Sequence, residues 1–134
     1  MEKANAGPTW AKRFFAVTVF VDDLARERRW YIDVFGMPIV DESQGNCTFR
    51  FPGGVFINLN TLGAASDHIA PAPIAVPGMP SRMMLSLEVD DVDAVVERLA
   101  AVGVKPINGP TDRPWGSRDV TIADPSNNYW ELFS

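Results

Sequence analysis

Residues 121–132 read "TIADPSNNYWEL", and the stretch is best understood beside residues 48–59, "TFRFPGGVFINL". At an offset of 73, Thr48 meets Thr121, Pro52 meets Pro125 and Leu59 meets Leu132. Each reads as strand, tight turn, strand. Pro52-Gly53-Gly54 makes the first turn. Ser126-Asn127-Asn128 makes the second, because Asn tolerates positive φ best after Gly. Outward from this pair, "AVTVFVDDLARERRWYIDVFGMPIV" from Ala16 corresponds to "MLSLEVDDVDAVVERLAAVGVKPI" from Met84, with Asp23 and Asp91 68 residues apart. The extra five residues fall in the loop around "NGPTDRPWG", where an insertion is tolerated. An ordered series of matches at nearly constant offset indicates an internal duplication.

Both halves follow one physical plan. Residues 14–21, "FFAVTVFV", are apolar and β-branched, as a strand requires. Asp23 then offers a side-chain oxygen to the free amides of a helix start. Leu24, Tyr31, Val34 and Phe35 share one helical stripe, and Gly36 closes the helix. In the second half Asp91 is the cap, Val92, Val95, Val96, Leu99 and Val102 form the stripe, and Gly103 ends it. "RERR" at 26–29 reads as a solvated helix face. Further strands are expected near 38–42, 46–51 and 55–60, then near 105–108, 117–123 and 128–133. Module one thus spans 13–61 and module two 81–134, within a single 1–134 domain. The connector, 62–80, has four prolines and several alanines and is expected to be extended. A half of about fifty residues is marginal alone, so the modules should combine. The expected class is α+β: two βαβββ modules forming a curved, mostly antiparallel sheet around a cleft, with helices outside.

Bulk properties narrow the function classes. The net charge of −5 disfavours nucleic acid, which needs a concentrated basic face. No apolar run is long enough to cross a bilayer. The start, "MEKANAGPTWAKR", lacks the apolar stretch of a signal peptide, so a cytoplasmic protein is expected. Cys47 is alone; it reads as a small buried hydrophobe rather than a nucleophile. His68 lies in the connector, where a solvated imidazole is expected.

"VTVFVDDLARERRWYIDVFGMPI" is similar to a pattern of strand, Asp-Leu, helix, aromatic-Tyr and Leu-Gly, with Phe35 in place of Leu. "DPSNNYWELF" is similar to Asp-Pro-x-Gly-Asn-x-x-Glu-Leu, with Asn127 in place of Gly. "RPWGSRDVTIADP" fits the loop into the penultimate strand. On these motifs the chain resembles the vicinal oxygen chelate superfamily, which includes glyoxalase I, extradiol dioxygenases, and fosfomycin- and bleomycin-resistance proteins. In metal-dependent members, the resemblance implies, four strand positions supply His and Glu ligands. Those positions here are Ala16, Asn58, Met84 and Glu131. One anion, one amide, one thioether and one methyl group make a poor zinc or magnesium site. A two-His iron site is excluded in a chain with one His. No metal and no cofactor are therefore expected.

Strand alternation places Phe14, Ala16, Thr18 and Phe20 on the face of Phe56, Asn58 and Asn60, and Met84, Ser86 and Glu88 on the face of Tyr129, Glu131 and Phe133. Trp130 and Leu132 should turn towards a helix. The cleft is expected to be mostly apolar, with Phe20, Phe56, Asn58, Met84, Ser86, Tyr129 and Glu131 at the ligand and Trp115 at the rim. These side chains also suit a filled core. The leading expectation is a protein that binds a small aromatic or cationic molecule, with antibiotic sequestration as one use. Metal-free members of the superfamily, the resemblance implies, work in that way, and homodimers are common. The alternative is a metal-free enzyme with Glu131 as general base. It lacks an evident electrophile, Arg50 and Arg118 being the nearest candidates. A purely structural module is a third reading. A metal-dependent glyoxalase or dioxygenase ranks last.

Overall fold

The computed structural model describes residues 9–134; the first eight residues of the N-terminal stretch read above lie outside the described residues. The order is β1 (Ala16–Val21), α1 (Leu24–Val34), β2 (Ile39–Glu42), β3 (Asn46–Phe51), β4 (Val55–Thr61), α2 (Leu62–Ile69), β5 (Met84–Glu88), α3 (Val92–Ala101), β6 (Asn108–Asp112), β7 (Arg118–Ala123) and β8 (Tyr129–Phe133). The strands form two four-stranded sheets of one topology, β1-β4-β3-β2 and β5-β8-β7-β6. In each, the outer pair (β1 with β4, β5 with β8) is parallel and the other pairs are antiparallel. The α+β class and the duplication are as expected from the sequence.

The same local devices act twice. The Asp23 carboxylate accepts from Arg26 N, and Asp91 accepts from Asp93 N and Ala94 N. Gly36 and Gly103 take positive φ at the helix exits. Asn127 has φ of 64°, the positive value the β7–β8 turn requires.

The long helices lie on the face of each sheet away from Asn58 and Glu131. Tyr31 of α1 stacks on Phe49 at 5.9 Å, and Val92 and Leu99 of α3 are buried. The two helix-bearing faces meet in one core. Trp130 of β8 packs against Phe51 at 5.4 Å, Phe35 at 4.6 Å and Tyr31 at 6.1 Å. Pooling two small cores in this way buries more apolar surface than either module manages alone.

Three expectations need correction. Residues 62–69 of the connector are helical rather than extended. Thr61 Oγ1 caps Ala64 N, and the first proline comes only at Pro71. The expected strand at 105–108 sits instead at 108–112, with a register shift between Asn108 and Thr111. Gly109 sits in that irregularity with φ of 90°, and a Cβ there would lie 2.6 Å from Asp119 O. Finally, the "RERR" run is not a wholly solvated face. Arg26 and Arg29 are exposed, but Glu27 is fully buried.

Candidate functional site

The strand registers place the expected face residues together on each sheet. On the first, Ala16 lies beside Phe56, Thr18 beside Asn58, and Phe20 beside Asn60. On the second, Met84 lies beside Tyr129, Ser86 beside Glu131, and Glu88 beside Phe133. Thr18, Met84, Ser86 and Glu88 are exposed, so these faces are open. Trp130 and Leu132 turn into the core, as alternation requires.

Asn58 anchors a polar patch. Its Oδ1 accepts from Thr48 Oγ1 at 2.8 Å and from Asn46 Nδ2 at 3.1 Å. Glu131 Oε1 accepts from Ser86 Oγ at 2.8 Å. Beside it lies Asp119, 2% exposed, whose two oxygens accept from Arg113 Nε at 2.9 and 3.1 Å. The Arg113 guanidinium holds the Asp119 carboxyl below its ordinary range. Arg113 thus supplies a cation on the Glu131 face that sequence reasoning did not find. It lies on the "RPWG" loop, and strand alternation says nothing about where a loop side chain reaches. Of the two arginines considered, Arg50 shares the Asn58 face by register, opposite Phe56. Arg118 pairs with Asp93 of α3 and with Asp112, away from Glu131.

The four positions tested for a metal remain a poor donor set. Ala16 offers nothing and Met84 only sulfur. The Asn58 oxygen already takes two hydrogen bonds and the nearer Glu131 oxygen one. Among the described residues, no group of three or more His, Cys, Asp and Glu is placed to hold an ion. These side chains do not fit a metal.

A cavity of about 690 Å³ opens where the edge strands β1 and β5 approach each other. Thr18 and Phe20 line it from β1, Leu85 from β5 and Tyr129 from β8. The connector roofs it with Ile74, Val76 and Met79, joined by Met83 just before β5. Asn127 ties this roof down: its Nδ2 donates to Gly78 O at 3.0 Å, and its carbonyl accepts from Ser81 N at 3.3 Å. Of the residues expected at the ligand, Phe20 and Tyr129 line the cavity. Asn58, Ser86 and Glu131 lie further along the open faces. Phe56 packs on Phe15 at 4.9 Å, Met84 is half exposed, and Trp115 is 74% exposed on its turn. The connector residues were missed because a Pro-rich segment reads as a spacer, although its Ile, Val and Met residues were a usable signal.

Cys47 is buried, and burial first, then Glu42, pushes its thiol up to about 11. His68 is exposed, with Nδ1 2.9 Å from Ala64 O on its own helix α2. Among the described residues, no helix is long and apolar enough to cross a membrane.

The Glyoxalase/Bleomycin resistance protein/Dioxygenase superfamily pattern matches residues 13–132. The chain belongs to this superfamily. The uncharacterised protein YraH of Bacillus subtilis (strain 168) is 26% identical over 124 residues, which is 90% of this chain and 97% of that protein. A glyoxalase/bleomycin resistance protein/dioxygenase from Nocardioides has a similar fold, with a TM-score of 0.79 and 22% identity over 92% of this chain and 83% of its own. Lactoylglutathione lyase from Agrobacterium tumefaciens gives a TM-score of 0.73 and 24% identity over 95% and 94%. At these identities the structural likeness speaks to fold alone.

Proposed function

We propose that this superfamily member is a metal-independent protein that binds a small aromatic molecule in the seam cavity and works as a homodimer. The cavity carries the reading. Its volume, about 690 Å³, falls within the range of roughly 300–1,000 Å³ usual for small-molecule sites. Phe20 and Tyr129 enter from different sheets, and neither packs on another ring among the described residues, so both are free to stack on a ligand. Met79 and Met83 supply an adaptable roof. Asp22 and Arg82 both line the cavity, so their charges cancel and an aromatic ligand fits better than a cationic one. Sequestration of an aromatic antibiotic is one use of such a site.

The neutral fluorophore N-phenyl-1-naphthylamine tests the site, followed by a panel of planar antibiotics as competitors. Phe20→Ala and Tyr129→Ala should each weaken the probe about tenfold, the effect of losing roughly 1.4 kcal/mol of stacking and area. A flat response to the whole panel, or unchanged affinity in both variants, defeats the reading. Metal independence is checked by elemental analysis of untagged protein. Stoichiometric Zn, Mn, Ni or Fe that disappears in Glu131→Gln refutes it.

The Arg113–Asp119–Glu131 cluster supports a second reading, a metal-free enzyme. Glu131 would take a proton next to a carbonyl that Arg113 polarises. Turnover lost in Glu131→Gln and in Arg113→Ala favours it; turnover retained in both removes it.

A further inference from the structure

A buried carboxyl pair joins the modules next to the cavity. Glu27 of α1 is fully buried and Asp124, before the β7–β8 turn, is 3% exposed. Asp124 is saturated with donors. Its Oδ1 accepts from Ser126 N and Asn128 N, both at 2.9 Å, and its Oδ2 accepts from Tyr31 Oη at 2.7 Å. Asn128 Nδ2 reaches both oxygens, at 3.2 and 3.0 Å. Glu27 has less. Ser126 Oγ donates to its Oε2 at 2.9 Å, while Oε1 finds no donor among the described residues. A buried carboxyl oxygen without a donor is costly unless it carries a proton and donates. Asp124 is the acidic neighbour of Glu27, and its negative charge favours the protonated form of Glu27.

Ser126 connects this pair to the cavity. Its hydroxyl donates to Glu27, accepts from Asp22 N at 3.0 Å, and lines the cavity wall. One side chain therefore touches the first module, the second module and the ligand space. We propose that Glu27 and Asp124 form a one-proton latch between the modules, and that loss of the proton opens the wall at Ser126 and weakens ligand binding. This rests on the seam cavity being the binding site.

The surrounding groups leave the proton little alternative. Around Glu27 the ionisable neighbours are Asp124 and Tyr31, with Ser126 as the neutral partner. The nearby arginines of α1 are directed elsewhere. Arg28 pairs with Glu42 and Arg29 with Asp33, while Arg26 is exposed. Desolvation first, then the Asp124 hydrogen bond and charge, raises Glu27 from 4.5 to about 9. Burial keeps the Tyr31 phenol well above its ordinary range. A raised acid contributes stability that is fully present below 4.5 and is lost as pH rises through about 9. The folded state holds one more proton than the unfolded state across that window, so stability falls as pH climbs.

Two titrations test the proposal, from pH 6 to pH 10. The first follows urea unfolding; the second follows N-phenyl-1-naphthylamine affinity. One proton lost near pH 9 should cut affinity about tenfold between pH 8 and pH 10. Glu27→Gln keeps the shape and cannot ionise, so both its profiles should lose the Glu27 slope. In Ser126→Ala the stability slope should persist while the affinity slope disappears. A wild-type affinity that is flat from pH 6 to pH 10, or a Glu27→Gln decline parallel to wild type, overturns the proposal. Should Glu27→Gln not fold, a wild type with equal stability at pH 6 and pH 9 overturns it as well. If the probe finds no site at any pH, the cavity reading fails and the coupling with it, and unfolding alone then decides the latch.

Discussion

Tyr31 shows how much one side chain carries here. Its ring packs on Phe49 and Trp130, its hydroxyl donates to Asp124, and the same oxygen accepts from Trp130 Nε1 at 3.1 Å. Phenylalanine would keep the ring and orphan a buried indole N–H together with one Asp124 contact. Tyr31→Phe should therefore cost about 1–3 kcal/mol, measured by urea unfolding at pH 7. Arg113→Ala acts by charge. It leaves the buried Asp119 carboxylate without its cation, so the variant should melt below wild type at pH 7. Asp119 is held below its ordinary range, so its contribution is present above that range and lost on acidification. The gap should thus narrow as pH falls towards 3. Trp130 and Glu131 were legible in the sequence because strand alternation puts neighbours on opposite faces. Glu27 was not, since a charged run suggests solvent. It falls on the Tyr31 and Val34 stripe, but its partner Ser126 is 99 residues away in sequence.

At the scale of elements, the strand-turn-strand signals were read almost to the residue, because turn chemistry and caps are local. β3 occupies 46–51 as expected, and β4 and β8 differ by a residue. Misreadings arose where local composition conflicts with a tertiary demand. Four prolines obscured α2, which nonetheless has a Thr61 cap and an Ala-rich turn before the first of them. β6 slid because Gly109 takes a backbone conformation that lets β6 press against Asp119 and Val120. A methyl group there would meet backbone atoms at 2.6 and 3.1 Å, at a φ of 90°. Gly109→Ala is expected to cost at least about 1–3 kcal/mol in strain. Gly53→Ala is the control: its φ is also positive, but no atom lies within 4 Å. A similar loss in both variants would show that φ alone, rather than close approach, makes Gly109 necessary.

For the whole molecule, the duplication predicted two equivalent modules with helices outside their sheets, and two four-stranded sheets of one topology are present. The modules share a core through their helix-bearing faces, and this leaves the Asn58 and Glu131 faces open. Near the start of β1 and β5 the exposure is strongly apolar: Phe14 is 72% exposed, Phe15 55%, Met83 53% and Met84 50%. Apolar exposure of this kind suits a surface that another protein covers. A second copy is the economical partner, since the two open faces have the same fold and a twofold axis can present each to its counterpart. The proposed homodimer would cover these faces. Sedimentation at micromolar concentration should give a dimer, and Phe15→Glu with Met83→Glu should give a folded monomer, because both residues are already solvated in the single chain. Met83 also lines the cavity roof, so probe affinity should fall with the double substitution, whereas Phe15→Glu alone should weaken it only if the dimer completes the site. A wild type that sediments as a monomer at every concentration would leave the apolar faces without a partner, and the single-chain seam would then be the whole binding site.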